Sequence, residues 1–228
     1  MLHNDTTDDT VYKADGRVLI MTAVPAERDA IKQTLKNDSR FDIRASGAGP
    51  VAAAVHTMKA LAEGSHRVVI SAGIGGGFPA AADIGSIVLS TEIIAADLGA
   101  ETPDGFLSID ELGFGSSKIS VDPLLVRVIE QQLKKKGLDV QTGPILTVSS
   151  ATGTEETGKK RAALIPGAAA EAMEGFGVAA AALQFGLPVV EMRAVSNRVG
   201  LRDRNAWKID EALRALAEAS AVLPEVLL

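Results

Sequence analysis

The sequence predicts an α/β fold: a single domain in which a mostly parallel sheet is covered by helices on both faces, three layers in all. Three observations predict it. Short, β-branched apolar runs alternate with helical stretches along the chain. The apolar runs are continuous, as expected of strands buried on both faces. No composition break or internal repeat marks a linker. With 228 residues, 46% of them hydrophobic, the chain can bury a core without disulfide or metal staples. Residues 1–15, polar and acid-rich, read as a flexible leader, and residues 16–228 as the domain.

Arg17–Val24 is the first strand, closed by Pro25 at a favourable first helical position, and a helix follows to about Leu35. Phe41–Ser46 is the second strand; Gly47-Ala48-Gly49-Pro50 ends it and Val51–Ala62 is helical. Arg67–Ala72 is a strand that runs into Gly73-Ile74-Gly75-Gly76-Gly77. Each glycine there costs backbone entropy and packs nothing, so the run reads as irregular backbone that lets a ligand approach. Ile84–Ala95 gives one or two strands bounded by Gly85. Residues 97–120 form a long loop, and loops of that length inside compact domains are usually functional. Val121–Lys136 is helical and Pro144–Ser150 a strand. Gly153–Leu164 is a loop and short helix, then Ala168–Met173 a strand. Gly175–Phe185 is an Ala-rich helix, Pro188–Val195 the last strand and Asn205–Leu228 the closing helix.

Composition excludes several chemistries. There is no cysteine, so no disulfide, thiolate nucleophile or iron–sulfur cluster. The three histidines, His3, His56 and His66, do not stand at ligand spacing, so no metal site is expected. A net charge of −6 with dispersed Lys and Arg lacks the footprint of nucleic-acid binding. No run approaches the ~18 apolar residues of a membrane span. The polar start is unlike a signal peptide, and a cytoplasmic location is expected.

The motifs sit at strand ends. Gly47-Ala48-Gly49-Pro50-Val51-Ala52 fits G-x-G-x-x-A, yet it follows the second strand and lacks an acid about 20 residues on. A tight turn or an anion site at a helix start remain its two readings. Gly153–Lys159 narrowly misses a P-loop: Lys160 replaces the magnesium-binding hydroxyl, and Glu155-Glu156 would repel phosphate. Glu174 lies between a buried strand and an apolar helix, where an acid must be paired or functional. Arg193 sits in an apolar strand, either as its structural partner or as part of a site. Glu27 suits either a helix cap or a reactive carboxylate. Glu27, the glycine run, Glu174 and Asn197 together suit a small polyhydroxylated ligand, with a carboxylate doing any proton transfer.

From Arg17 onward the chain resembles the purine nucleoside phosphorylase/hydrolase superfamily, close to the methylthioadenosine nucleosidases. The resemblance is carried by Thr22–Arg28, Ser46–Ala54, Gly73–Gly77, Met173-Glu174-Gly175 and Arg193–Asn197, in that order and spacing. Within it the chain is most similar to the futalosine hydrolases, on Thr152–Glu156, on Asn197 where adenine-releasing members have Asp, and on Gly200–Trp207.

The resemblance implies a twisted, partly barrel-like sheet of nucleoside phosphorylase type. It implies hydrolysis of the N-glycosidic bond of futalosine to hypoxanthine and dehypoxanthine futalosine, in menaquinone biosynthesis. The alternative is a nucleosidase or phosphorylase of methylthioadenosine/S-adenosylhomocysteine or inosine type. Glu27 matches the carboxylate that deprotonates water, Met173 and Glu174 the ribose-binding pair, and Thr152 and Gly153 the purine-lining segment. Asn197 matches the residue at N7 of the leaving base, and its amide suits a 6-oxopurine. A cation for the benzoate tail is expected from Arg202 or Arg204. No cofactor or metal is implied; the implied partners are a small-molecule nucleoside and a second copy of the chain, as a homodimer or higher oligomer. Two positions depart from the pattern: Ile74 replaces a Ser, and the acid before Met173 is shifted to Glu171.

Overall fold

The structure, a computed structural model, describes residues 15–227. The expected leader lies outside them, Asp15 apart. β1 (Arg17–Thr22) forms from the β-branched run, with Val18, Leu19 and Ile20 fully buried, and Pro25 opens α1 (Pro25–Thr34) at once. β2 (Phe41–Ala45), α2 (Pro50–Glu63) and β3 (His66–Gly77) complete two crossovers, and β1 pairs parallel with both neighbours.

β3 corrects the sequence reading. Its glycine run is regular strand, laddered to β10 (Val189–Arg198), with Gly73 opposite Arg193 and Gly77 opposite Arg198. Pairing with β10 along the whole run, and with β9 at Gly76 and Gly77, outweighs the entropic cost of glycine, and close approach explains the residue type. A Cβ on Gly73 would stand 2.7 Å from Glu27 Oε1.

β4 (Ile87–Ala95) follows, and the region read as one loop holds a hairpin, β5 (Gly99–Thr102) and β6 (Gly105–Ser108), then β7 (Lys118–Ser120) on the edge of β4. Next come α3 (Pro123–Lys135), capped by Asp122, and β8 (Val140–Thr147). β8 starts before Pro144. The β4–β8 register shifts between Ser90 and Ile93, where Pro144 has no N–H to offer the ladder. The chain continues through α4 (Glu155–Leu164), β9 (Ala170–Ala172) and α5 (Gly175–Gln184). The predicted closing helix is broken into a 3-10 turn at Arg204–Ala206, α6 (Ile209–Ser220) and α7 (Leu223–Leu227), with Pro224 unable to continue α6.

The main sheet is mixed. Five pairings are parallel, and β10–β4, β3–β9 and β4–β7 are antiparallel. The antiparallel joins close β3, β10, β4, β8 and β9 into a ring, so the sheet is partly a barrel, with β1 and β2 extending from β3. Helices flank it, α1 against α6 and α2 against α5. At the α2–α5 crossing, a Cβ on Gly177 would overlap the Pro50 carbonyl and lie 3.1 Å from the Ala54 nitrogen. Gly177→Ala is therefore expected to destabilise the fold by about 1–3 kcal/mol. Thermal unfolding should register this as a Tm lower by roughly 2–4 °C per kcal/mol; an unchanged Tm would refute the close crossing.

Candidate active site

The carboxyl ends of β1, β3 and β10 converge, the usual ligand position in such sheets. Glu27 stands in the first turn of α1, where the capping reading holds. Its Oε2 accepts from the N–H groups of Ala23 and Val24 at 2.9 and 3.1 Å, reaching back to cap the helix. Its Oε1 accepts from Ile74 N–H at 2.9 Å and lies at the cleft. The contact at position 74 is thus made by backbone, which an Ile supplies as well as a Ser.

Glu174 precedes α5. Its Oε1 accepts from Gly49 N–H at 3.1 Å, and its Oε2 lies 3.3 Å from Arg193 Nη2. The Gly47–Ala52 turn therefore offers its amide to the protein's own carboxylate. The helix-start anion reading is answered from within, with Gly49 at φ 93°. Arg193, 1% exposed, pairs with Glu174 as the sequence allowed, and with Glu191 at 2.8 Å. Burial opposes its charge, but the surrounding carboxylates Glu191, Glu174 and Glu27 outweigh that and hold it above its ordinary pKa.

The opposite wall is clamped. Buried Glu171 on β9 accepts from Thr152 N–H at 2.7 Å and Thr152 Oγ at 2.6 Å, and pairs with Arg161 at 2.6 Å. Arg161 also donates to Thr152 Oγ and, at 2.9 Å, to the Ser150 carbonyl. Glu171 thus fixes the segment ahead of α4 and is saturated by these donors. Asn197, half-buried near the end of β10, accepts from Ser196 Oγ at 2.8 Å and donates Nδ2 to the Arg198 carbonyl at 3.1 Å.

One cleft of ≈ 170 Å³ gathers Glu27, Thr152, Met173, Glu174 and Asn197. Gly153 does not line it; its carbonyl accepts from Arg202 N–H at 3.1 Å. Arg202 and Arg204 lie outside it and are exposed, Arg202 over the Trp207 ring at 5.6 Å from its centre. Trp207 itself lines the cleft beside Asn197, a position that sequence reasoning missed because it depends on the chain folding back after β10. A roomier cavity of ≈ 450 Å³ beside α4 has only Glu155 and Lys159 as charged lining. The smaller cleft has the chemistry: Glu174 paired with a buried guanidinium, Glu27 held by backbone N–H groups, and the Asn197 amide, around a space lined by the backbone of the glycine run.

The family model described as "Phosphorylase superfamily" matches residues 17–228. The chain belongs to the phosphorylase superfamily. This superfamily member is 44% identical over 234 residues to the futalosine hydrolase of Streptomyces coelicolor, covering 92% of this chain and 96% of that one. It is 43% identical to the futalosine hydrolase of Acidothermus cellulolyticus, covering 90% and 89% of the two chains. Its fold matches a 5'-methylthioadenosine/S-adenosylhomocysteine nucleosidase from Neisseria meningitidis, solved with methylthio-immucillin-A, at a TM-score of 0.76 and 21% identity. That match covers 93% and 98% of the two chains. That match shows a fold of nucleoside phosphorylase type.

Proposed function

We propose that the protein hydrolyses the N-glycosidic bond of futalosine, releasing hypoxanthine and dehypoxanthine futalosine, a step of menaquinone biosynthesis. The observation that carries the reading is the 44% identity to a futalosine hydrolase over nearly the whole of both chains. The cleft supports it with Glu27 and Glu174 around Arg193 and an amide at Asn197.

Glu27 takes a proton from water as the water oxygen bonds to C1′ of the sugar. The C1′–N9 bond breaks with its electron pair passing to the purine, which gains a proton from solvent at N7, while Glu27 returns to solvent the proton it took from water. Glu174 accepts from the ribose hydroxyls and stabilises the oxocarbenium-like state. The Asn197 carbonyl accepts from protonated N7, and its free N–H donates to O6. Thr152 and Trp207 line the base, and Met173 the sugar.

Arg202, stacked on the cleft's own Trp207, is the better placed partner for the benzoate. Arg202→Ala should raise KM for futalosine about 10-fold, the cost of one charge-assisted hydrogen bond, and leave inosine unaffected. Equal effects on both nucleosides would remove Arg202 from that role, and Arg204→Ala serves as the exposed control.

The enzyme works as a homodimer in the cytoplasm. Val51, Val55 and Met58 form an exposed apolar stripe on α2, which favours a second copy; a monomer mass by light scattering would reject this. Among the described residues no helix is long and apolar enough to cross a membrane.

The deciding experiment is hypoxanthine release from futalosine in phosphate-free buffer. Release without phosphate supports hydrolysis. Dependence on phosphate, or release of adenine from methylthioadenosine alone, would overturn it.

A further inference from the structure

β10 carries two charged side chains two residues apart within an otherwise apolar run, so both fall on one face: Glu191 and Arg193. Both are buried, at 0% and 1% exposure. Arg193 pairs with two carboxylates and feels the charge of a third, Glu27. Its Nε donates to Glu191 Oε1 at 2.8 Å, and its Nη2 lies 3.3 Å from Glu174 Oε2. Its Nη1 comes near Glu27: a Cβ on Gly73 would stand 2.5 Å from that nitrogen and 2.7 Å from Glu27 Oε1. Nη2 also reaches Ser71 Oγ at 3.2 Å.

One guanidinium cannot neutralise three buried carboxylates. If all three were ionised, the cluster would hold two uncompensated charges away from water. Glu191 is the most deeply buried of them, and its Oε2 has no hydrogen-bond partner. The space beside that oxygen is closed, since a Cβ on Gly175 would overlap it. Facing Glu191 are Arg193 on its own strand and Glu174 at the start of α5, with Glu27 of α1 beyond the guanidinium. β3 and β4 present the hydroxyls of Ser71 and Ser90, the latter accepting from Glu191 N–H at 2.8 Å. Burial pushes the Glu191 carboxyl above the ordinary carboxylate range, against the pull of Arg193.

We propose that Glu191 is a positioning residue that works as the neutral acid: its Oε1 anchors Arg193 Nε, and its protonated Oε2 leaves the guanidinium charge to Glu27 and Glu174. An unpartnered hydroxyl costs far less in that position than an unpartnered oxyanion. Anchoring Nε turns Nη2 toward Glu174, the ribose carboxylate, and Nη1 toward the carbonyl of Ile74, the residue whose N–H holds Glu27. Its kinetic consequence rests on the hydrolysis proposed above; the protonation state does not.

Two variants test it. Glu191→Gln keeps a neutral side chain with the carbonyl acceptor, whereas Glu191→Met keeps the reach and removes the acceptor. With futalosine, the Gln variant should stay within about 3-fold of wild-type kcat with the same pH profile. The Met variant should lose about 10²-fold in kcat with a smaller change in KM, as expected when a reacting group is misplaced. Gln losing as much as Met, or Met losing nothing, overturns the proposal.

Thermal unfolding tests the protonation state without any substrate. A carboxyl that is neutral when folded and ionised when unfolded makes wild type lose stability as pH rises above the ordinary carboxylate range. The Tm of Glu191→Gln should therefore gain on wild type from about pH 5 to about pH 8. A difference that stays flat across that window means Glu191 is ionised in the fold and overturns the proposal. Absence of turnover by wild type would instead count against futalosine as substrate and leave this second readout intact.

Discussion

Glu27→Gln is expected to lower kcat for hypoxanthine release about 10³-fold, within the usual span of general-base catalysis, with KM changed only a few-fold. The carboxylate is oriented by three backbone N–H groups, from Ala23, Val24 and Ile74. All three are donors, and the water of the proposed mechanism would be a fourth, so every bond the side chain makes requires an acceptor. A Gln amide supplies one oxygen and one NH2. Whichever way it lies, the NH2 opposes either Ile74, whose N–H loses its partner, or the start of α1, where the N–H groups of Ala23 and Val24 both lose theirs. Part of the loss would then come from reorientation and part from the missing base. Two further measurements separate them. The Tm reports the disturbed backbone contacts, and hypoxanthine affinity reports whether the wall proposed for the base, Ala151, Thr152 and Asn197, is intact. A variant that binds hypoxanthine normally and keeps more than a tenth of wild-type kcat would mean that another group activates water.

The residues of this cleft were legible in the sequence to unequal degrees. Glu27, Glu174 and Asn197 could be found because each stands at a strand end, where apolar pattern gives way and a charged or amide group needs a reason to be there. Pro25 and the β-branched run before it set β1 and α1 by purely local preferences. The glycine run is not legible because its conformation is imposed from outside: β10 along one edge, β9 along the other at Gly76 and Gly77, and Arg193 and Glu27 filling the space a side chain on Gly73 would need. The hairpin Gly99–Ser108 hid for a related reason, since its four-residue strands are short and glycine-rich. Trp207 was seen as a residue of a motif, yet its place at the cleft depends on how the chain returns after β10. Glu191 had a visible signal, a charge two residues before Arg193 in an apolar strand. What the sequence does not contain is the count of carboxylates around one guanidinium, which arises only when α1, α5 and β10 meet.

Asn197→Asp is expected to reverse the choice of base, shifting the ratio of kcat/KM for futalosine against its 6-amino analogue by about 10³-fold. The amide orientation is fixed by its surroundings. Nδ2 faces the Arg198 carbonyl, which can only accept, and Oδ1 faces the hydroxyl of Ser196. One N–H and one lone pair are left for a ligand. A 6-oxopurine protonated at N7 presents the complementary pair, an acceptor at position 6 and a donor at position 7. An Asp places an oxygen opposite the Arg198 carbonyl, where two acceptors repel unless the acid is protonated. It also offers an acceptor where O6 needs a donor. Futalosine then leaves a polar pair unsatisfied as the C1′–N9 bond breaks, while a 6-amino group supplies the donor that the new carboxyl can accept. The loss should appear in kcat/KM with little change in Tm, because Asn197 sits at the half-exposed end of β10. Parallel assays of the two nucleosides on wild type and variant would decide it: a preference unchanged to within about 3-fold would assign base selection to the Thr152 wall that Glu171 and Arg161 hold in place.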